Sequence, residues 1–411
     1  MNAAAPLLVL FEDRRSRVWE PFSLTRPTGE LRFGAFRQRG RAEHALGLQC
    51  AGYLGCPELV GFEEPGAPPV LAAAPPADRP RLFLSSRAVL EWQRPETWPK
   101  ETAAVHVGGT FAGWYLPAGA PAPDGAALHD LAAPAGGAEL ALRGRMLRNV
   151  WDLVTGNSDQ LVRDYEGIRN GDDAATPGAG GWSGVNFEPG MLRVGGNVTI
   201  EPHVVFDFSN GPIWLQDGVQ VRAFTRLAGP ACIGRHSVLF GGLFTGISTG
   251  PHCKLHGEME ESVVLGYSNK VHQGYLGHAY LGHWVNLGAM TTNSDLKNNY
   301  GSVKLWTPRG VRDTRQMKMG CLLGDHVKTA IGIRINTGVV IGAASNLFGS
   351  ALITGYIRPF SWGTGESNGV YDVDRFLETA EIVMQRRDVT LTESMRGVLR
   401  RAFERGRAAE D

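Results

Sequence analysis

The sequence predicts an α/β domain over residues 1–165, a linker over 166–190, a parallel β-helix over 191–350 and a short helical tail over 351–411. Three observations predict this order. A short apolar run near the start ends abruptly in charge, a Gly/Asp-rich stretch interrupts the middle, and beyond it an apolar residue recurs at every sixth position.

The front domain begins with Pro6–Phe11, which reads as a first buried strand, and Leu82–Leu84 is a second strand candidate. The Ala/Pro/Gly-rich segments 63–80 and 117–137 read as surface loops. NGDDAATPGAGGWSGVNFEPG, residues 170–190, is the connector in which the domain boundary is expected.

The six-residue spacing then runs through Val194, Ile200 and Phe206; Leu215, Val221, Leu227, Ile233 and Leu239; Ile247, Cys253, Met259, Leu265 and Val271; Leu281 and Leu287; and Leu323, Thr329, Ile335, Ile341 and Leu347. Strands repeat at two and helices at 3.6, so neither accounts for it. Six residues make one side and one corner of a triangular coil, with the anchor inward and a small neighbour such as Gly234, Gly282 or Gly342 letting the chain turn. The bland alternative is an all-β sandwich with accidental spacing. Phase slips are expected near 207–214, 240–246 and 272–280, and residues 289–320 should be extruded from the coils.

In the tail, Val373, Phe376, Leu377, Ala380 and Met384 keep helical spacing. Thr390 with Glu393 suggests a capping box for a second helix that buries Met395, Val398, Leu399, Ala402 and Phe403, leaving its arginines on a solvated face.

Composition narrows the function classes. Lys plus Arg and Asp plus Glu number 41 each, so no overall field draws nucleic acid or an anionic membrane. Five cysteines without a C-x-x-C pair argue against a disulfide framework or a thiolate zinc site. The opening MNAAAPLLVLFEDRR lacks the basic start of a signal peptide, and no run approaches the ~20 apolar residues of a membrane helix. The expectation is a cytoplasmic protein with a small-molecule substrate.

The densest polar stretch is Ser268-Asn269-Lys270-Val271-His272-Gln273-Gly274-Tyr275-Leu276-Gly277-His278, followed by Val285-Asn286-Leu287-Gly288-Ala289 and Asn299-Tyr300-Gly301. These motifs resemble the acetyltransferase part of the bifunctional UDP-N-acetylglucosamine pyrophosphorylase/glucosamine-1-phosphate N-acetyltransferase family, over roughly 258–345. Leu24-Thr25-Arg26-Pro27, Trp151-Asp152-Leu153 and Phe360-Ser361-Trp362-Gly363 extend the likeness to a bacterial subfamily described as sugar nucleotidyltransferases. The resemblance implies a left-handed helix of hexapeptide repeats behind a nucleotidyltransferase-like domain, acetyl-CoA as co-substrate, a homotrimer with sites between subunits, and a role among nucleotide sugars and cell-wall precursors.

It also implies roles for residues. His272 is the general base and Asn286 orients the acceptor; Tyr275, Lys270 and Lys304 bind the sugar or its phosphate; Asn299 and Tyr300 lie along the acyl donor. An amino sugar is largely protonated at neutral pH, and a histidine titrating near neutrality suits removal of its proton as nitrogen attacks the thioester. Each has a structural alternative: a corner histidine bonded to backbone, an asparagine ladder, packed tyrosines.

The sequence departs from the family at Glu260, where a phosphate-binding lysine is expected, and at Ile331 and Phe348 among the later acyl-donor positions. In the front domain Glu12-Asp13-Arg14-Arg15 replaces the family's Gly-x-Gly-Thr-Arg phosphate cradle. Arg26 and Arg32 remain candidates for nucleotide binding, and Asp152 or Asp164 for Mg2+. Three readings stay open beside acyl transfer: nucleotidyl transfer in the front domain, a zinc site on His278 and His283 like that of hexapeptide carbonic anhydrases, with His236 or His252 standing in for the third ligand, and a non-catalytic sugar-nucleotide scaffold.

Overall fold

The computed structural model describes residues 5–92, 94–134, 136–169, 188, 190–365 and 367–408; most of the connector lies outside this set. Leu7–Phe11 is the expected first strand and lies inside a six-stranded mixed sheet, between the parallel strands Cys50–Leu54 and Arg81–Ser85. Its continuous apolar run follows from burial on both faces. Leu8 and Leu10 enter one core with Leu82, Leu84 and Val105, while Val9 and Phe11 enter another with Phe83 and Trp114.

The first of these cores is closed by the end of the chain. Phe376, Leu377 and Ala380 of the helix Val373–Gln385, and Val398, Leu399 and Ala402 of the helix Glu393–Arg407, pack into it beside the front domain's own helix, Gln38–Leu46. The tail therefore completes the front domain rather than trailing from the β-helix. The second tail helix is capped by Thr392, whose hydroxyl accepts from Met395 N at 3.2 Å, not by Thr390. Leu391 is buried in the same core, and the helix starts two residues later than the sequence suggested. Nor is its arginine face purely solvated: Arg401 Nε donates to Glu58 O at 2.9 Å, and Arg396 pairs with Glu381 at 2.7 Å.

Residues 192–363 wind as a parallel β-helix, past the expected boundary at 350, with strands of successive coils stacked in three columns. The first column runs from Leu192–Val194 to Tyr356–Ile357, the second from Thr199–Ile200 to Ser361–Gly363, and the third from Val205–Asp207 to Leu352–Ile353. Leu215, Ile233, Leu239, Met259, Leu281, Leu287, Leu323 and Ile341 fill the interior. Coil length explains the phase slips. Leu215 pairs with Ile233 and Leu323 with Ile341, eighteen residues on, but Thr249 pairs with Val264, only fifteen on. One consequence is that Val264 takes the interior position, and Leu265 instead packs outward against Phe22, Phe33 and Tyr280. A second is that Lys270, in register with Leu255 before it, points where an apolar anchor was expected, while Val271 is only half-buried.

The glycines beside the anchors serve coil-to-coil contact more than turning. A Cβ on Gly234 would sit 2.2 Å from Gly250 O of the next coil. The left-handed corner conformation belongs instead to His236, His252, Tyr267, Trp284 and His326, with φ of 56°, 57°, 53°, 63° and 61°. Their rings form one column, with centroid separations of 5.1, 5.0, 4.3 and 6.2 Å between successive members. Stacking, worth about 1 kcal/mol per pair, offsets backbone conformations that non-glycine residues rarely adopt.

The expected insertion leaves the coils only after Asn293, because Thr292–Asn293 still pairs with Arg334–Ile335, and it returns at Cys321, carrying a small antiparallel hairpin of Lys304–Leu305 with Arg312–Asp313. Val303 and Leu305 are fully buried in a core with Trp19, Phe22 and Trp151 of the front domain. The insertion is thus an arm clasped to the front domain.

Candidate functional site

The polar motif falls where the second column turns into the third. Asn269 and Lys270 form a strand, His272 lies exposed on the corner, and Tyr275 opens the next strand. Lys270 reaches from the interior to donate to His256 O at 2.9 Å and His272 O at 3.1 Å, so the histidine's main chain is pinned from beneath. Burial lowers the Lys270 amine to about 8.

Asn269 and Asn286 stack on successive coils, with Nδ2 of the first 3.3 Å from Oδ1 of the second. Arg387, just past the first tail helix, closes over them by donating to Asn269 Oδ1 at 2.8 Å. Beneath this contact is a cavity of about 520 Å³ lined by Lys254, Lys328, Arg386, Arg387, the two asparagines, Tyr267, Trp284 and Val271, with four cations and no carboxylate. Burial lowers Lys328 to about 8, and burial together with Arg387 and Arg386 lowers Lys254. Such crowding of like charge favours an anionic occupant.

A second cluster lies one strand along. Tyr275 OH is 2.8 Å from Asp295 Oδ2 and 3.1 Å from Glu260 Oε2; His278 Nδ1 is 2.7 Å from the same Asp295 oxygen; Lys318 Nζ donates to Glu260 Oε1 at 3.2 Å. Burial pushes the Asp295 carboxyl up, but hydrogen bonds from His278 and Tyr275 outweigh it and hold the group below its usual range. Glu260, the departure from the family pattern, is thus paired with a lysine supplied by the insertion. Asp295 and Lys318 escaped sequence reasoning because both lie in the segment that leaves the coils.

Other predicted residues stand apart. Asn299 and Tyr300 are exposed in the inserted arm, where Asn299 Oδ1 accepts from Gly301 N at 3.1 Å, and Lys304 is an exposed member of the hairpin. Ile331 is exposed at a coil corner, and Phe348 packs edge-on against Trp362.

The front-domain candidates are committed to structure. Arg26 is 3% exposed, with Nε 2.9 Å from Asp325 Oδ2 and Nη1 2.9 Å from Glu64 Oε2. Arg32 is buried against the β-helix, donating to Ser248 Oγ at 2.7 Å and Cys232 Sγ at 3.3 Å. Neither guanidinium faces a nucleotide site. The carboxylates expected to hold Mg2+ do not fit the ion either: Asp164 is fully buried against Arg41 and accepts from Ala35 N at 2.8 Å, while Asp152 caps a turn by accepting from Arg148 N and Asn149 N at 2.7 and 3.0 Å. Where the family has its glycine cradle, Glu12 accepts from Thr28 N at 2.7 Å, and Asp13 pairs with Arg87 at 2.7 Å. The loop is fastened by its own carboxylates.

The zinc alternative is not assembled. His278 is bonded to Asp295; both ring nitrogens of the fully buried His283 face acceptors, the Glu64 carboxylate and, at 3.1 Å, Leu265 O. His236 and His252 belong to the stacked column, and the described residues contain no group of three or more His, Cys, Asp or Glu placed for a metal.

Residues 8–173 match the family model described as sugar nucleotidyl transferase. The match falls on the front domain and covers less than half of the chain. The chain is 33% identical over 97 residues, 23% of its length and 24% of the relative's, to a protein of Sulfurisphaera tokodaii named bifunctional sugar-1-phosphate nucleotidylyltransferase/acetyltransferase. It is 28% identical over 123 residues, 30% of its own length and 28% of the relative's, to the bifunctional protein GlmU of Methanocaldococcus jannaschii. It therefore spans about a quarter of the length of the curated relatives it matches. Among solved structures, the UDP-N-acetylglucosamine acyltransferase of Arabidopsis is 9% identical, with 50% of this chain and 78% of that one covered and a TM-score of 0.31. No described helix is long and apolar enough to cross a membrane.

Proposed function

We propose that the protein is a transferase whose β-helix moves an acetyl group from acetyl-CoA to the amine of an amino sugar, sugar phosphate or nucleotide sugar, with His272 as general base and Asn286 orienting the acceptor. The observation that carries this reading is the carboxylate-free groove of four cations, two stacked amides and three aromatic rings under Arg387. It suits a phosphorylated, ring-bearing donor, and His272 directly follows Val271 in its lining. Lys318 beside Glu260 supplies a cation where the coil lysine is missing, which keeps a phosphorylated acceptor compatible with Tyr275. The curated relatives' names, which join nucleotidyl and acetyl transfer, support the same assignment.

The proposed assembly is a cytoplasmic homotrimer with the site between subunits. Val205, Phe224, Leu243, Met290, Ile331 and Leu352 are all exposed along the third column and the corner leading into it, Phe224 at 78% and Ile331 at 75%, and His272 stands at that corner. A neighbouring subunit covering this stripe would enclose the histidine. High activity from a monomer would count against the shared site.

One observation favours a second assignment of the base. His278 is oriented by Asp295 in the manner of a histidine–carboxylate dyad, whereas no described group bonds the His272 ring. Acetyl-CoA-dependent thiol release by His272→Ala and His278→Asn separates the two: the base is the histidine whose loss removes the neutral limb of the pH–rate profile.

A further inference from the structure

Outside the groove, the strongest charged feature is a cleft between the front domain and the inserted arm. Its walls carry Arg14 and Arg15 from the loop after the first strand, Arg148 from the segment before Trp151, and Arg309, Arg312 and Arg315 from the arm, around a volume of about 490 Å³. A second cavity of about 610 Å³ continues from it past Arg87 and Arg145. The cleft sits outside the carboxyl end of Leu7–Phe11, where the sheet's connections diverge to strands on either side, which is where open α/β sheets accept ligands.

Among the described residues Arg14, Arg15, Arg148, Arg312 and Arg315 make no ion pair, and Arg309 is tied only to Arg14 O, at 2.7 Å. The one carboxylate in the lining, Asp313, is occupied by Ser302 Oγ at 2.9 Å and Arg315 N at 2.8 Å. Six guanidinium groups brought together from three chain segments, against the single carboxylate of Asp313, call for a compact multiply charged anion, and guanidinium forks match phosphate oxygens in pairs. The volume admits a small molecule.

We propose that this cleft binds a diphosphate-bearing small molecule without a metal ion, gripped jointly by the front domain and the β-helix arm. Arginines here replace both the glycine cradle and the Mg2+ that the domain's family would bring. Two sources share the chemistry, a nucleoside diphosphate and the diphosphate of a coenzyme A molecule other than the donor placed under Arg387. The proposal does not depend on acyl transfer, since no residue of the cleft belongs to the groove under Arg387.

The test is calorimetric titration of the full chain with inorganic pyrophosphate in EDTA, with UDP and coenzyme A as competitors. Pyrophosphate is expected to bind, to weaken with added salt, and to lose at least about tenfold in affinity in both Arg14→Ser/Arg15→Ser and Arg309→Ser/Arg312→Ser. All four side chains are exposed, and circular dichroism checks that the variants stay folded. Displacement by UDP or by coenzyme A identifies the source. Absence of binding, binding only with Mg2+, an arm variant that binds like the wild type, or displacement by neither competitor would each overturn the proposal.

Discussion

Arg26 of the front domain and Asp325 of the β-helix form a buried ion pair, Nε to Oδ2 at 2.9 Å, with both side chains 3% exposed. Thr25 Oγ1 adds a bond to the same oxygen at 2.7 Å, and Glu64 takes the other side of the guanidinium at 2.9 Å. Burial works against the Asp325 carboxylate, but Arg26 and the hydrogen bonds from Thr25 hold it below its usual range. This pair is the centre of a seam that also joins Arg32 to Ser248 and Tyr280 to Arg32.

Removing Asp325 leaves the buried Arg26 with Glu64 as its remaining ion-pair partner and the bonds from Thr25 and His283 N unmade, a loss of up to about 3–5 kcal/mol. Asp325→Ala is expected to lower stability by that amount in urea unfolding. The two domains should still melt in one transition, because the tail helices, the front sheet and the coil residues Trp284, Ala344 and Phe360 share one core. A loss under about 1 kcal/mol, or two separate transitions, would contradict the role given to the seam.

Glu12 offers a test of opposite sign. Burial raises its carboxyl to about 7 despite the bonds from Thr28. A carboxyl raised in the folded state carries no penalty below its ordinary value of 4.5; the penalty grows as pH rises from there to about 7 and is constant above. Glu12→Gln should therefore stabilise the protein by up to about 3 kcal/mol at pH 8 and leave it unchanged at pH 4. Equal effects at both pH values would mean that Glu12 ionises normally.

The groove has its own pH signature. Lys328 titrates near 8, so its charge is present below that pH and lost above it. Coenzyme A affinity is predicted to fall between pH 7 and pH 9, and Lys328→Met is predicted to weaken binding at pH 7 and flatten that dependence. A variant that keeps the wild-type profile would remove Lys328 from the donor site.

The β-helix was legible because its signal is local: an anchor every six residues, with a neighbour kept small by the next coil. Shortened coils were not legible, and this is why Leu265 and Val271 were read as anchors when Val264 and Lys270 point inward. An interior lysine defeats an apolar pattern, and only the carbonyls of His256 and His272 explain it. The seam was invisible for a different reason. Thr25 and Asp325 are 300 residues apart, and nothing local marks Arg26 as bound to a partner rather than to a phosphate. His278 was visible as a histidine, but its partner Asp295 becomes apparent only when the arm's base folds beside the coil.

The most direct measurement is thiol release from acetyl-CoA against a panel of amino sugars, amino-sugar phosphates and nucleotide amino sugars, with wild type and His272→Ala compared at the same folded concentration. The account predicts release with at least one amine acceptor and a loss of about a hundredfold or more in the variant, the scale of a missing general base. Full activity in His272→Ala, or no release with any acceptor, would contradict it.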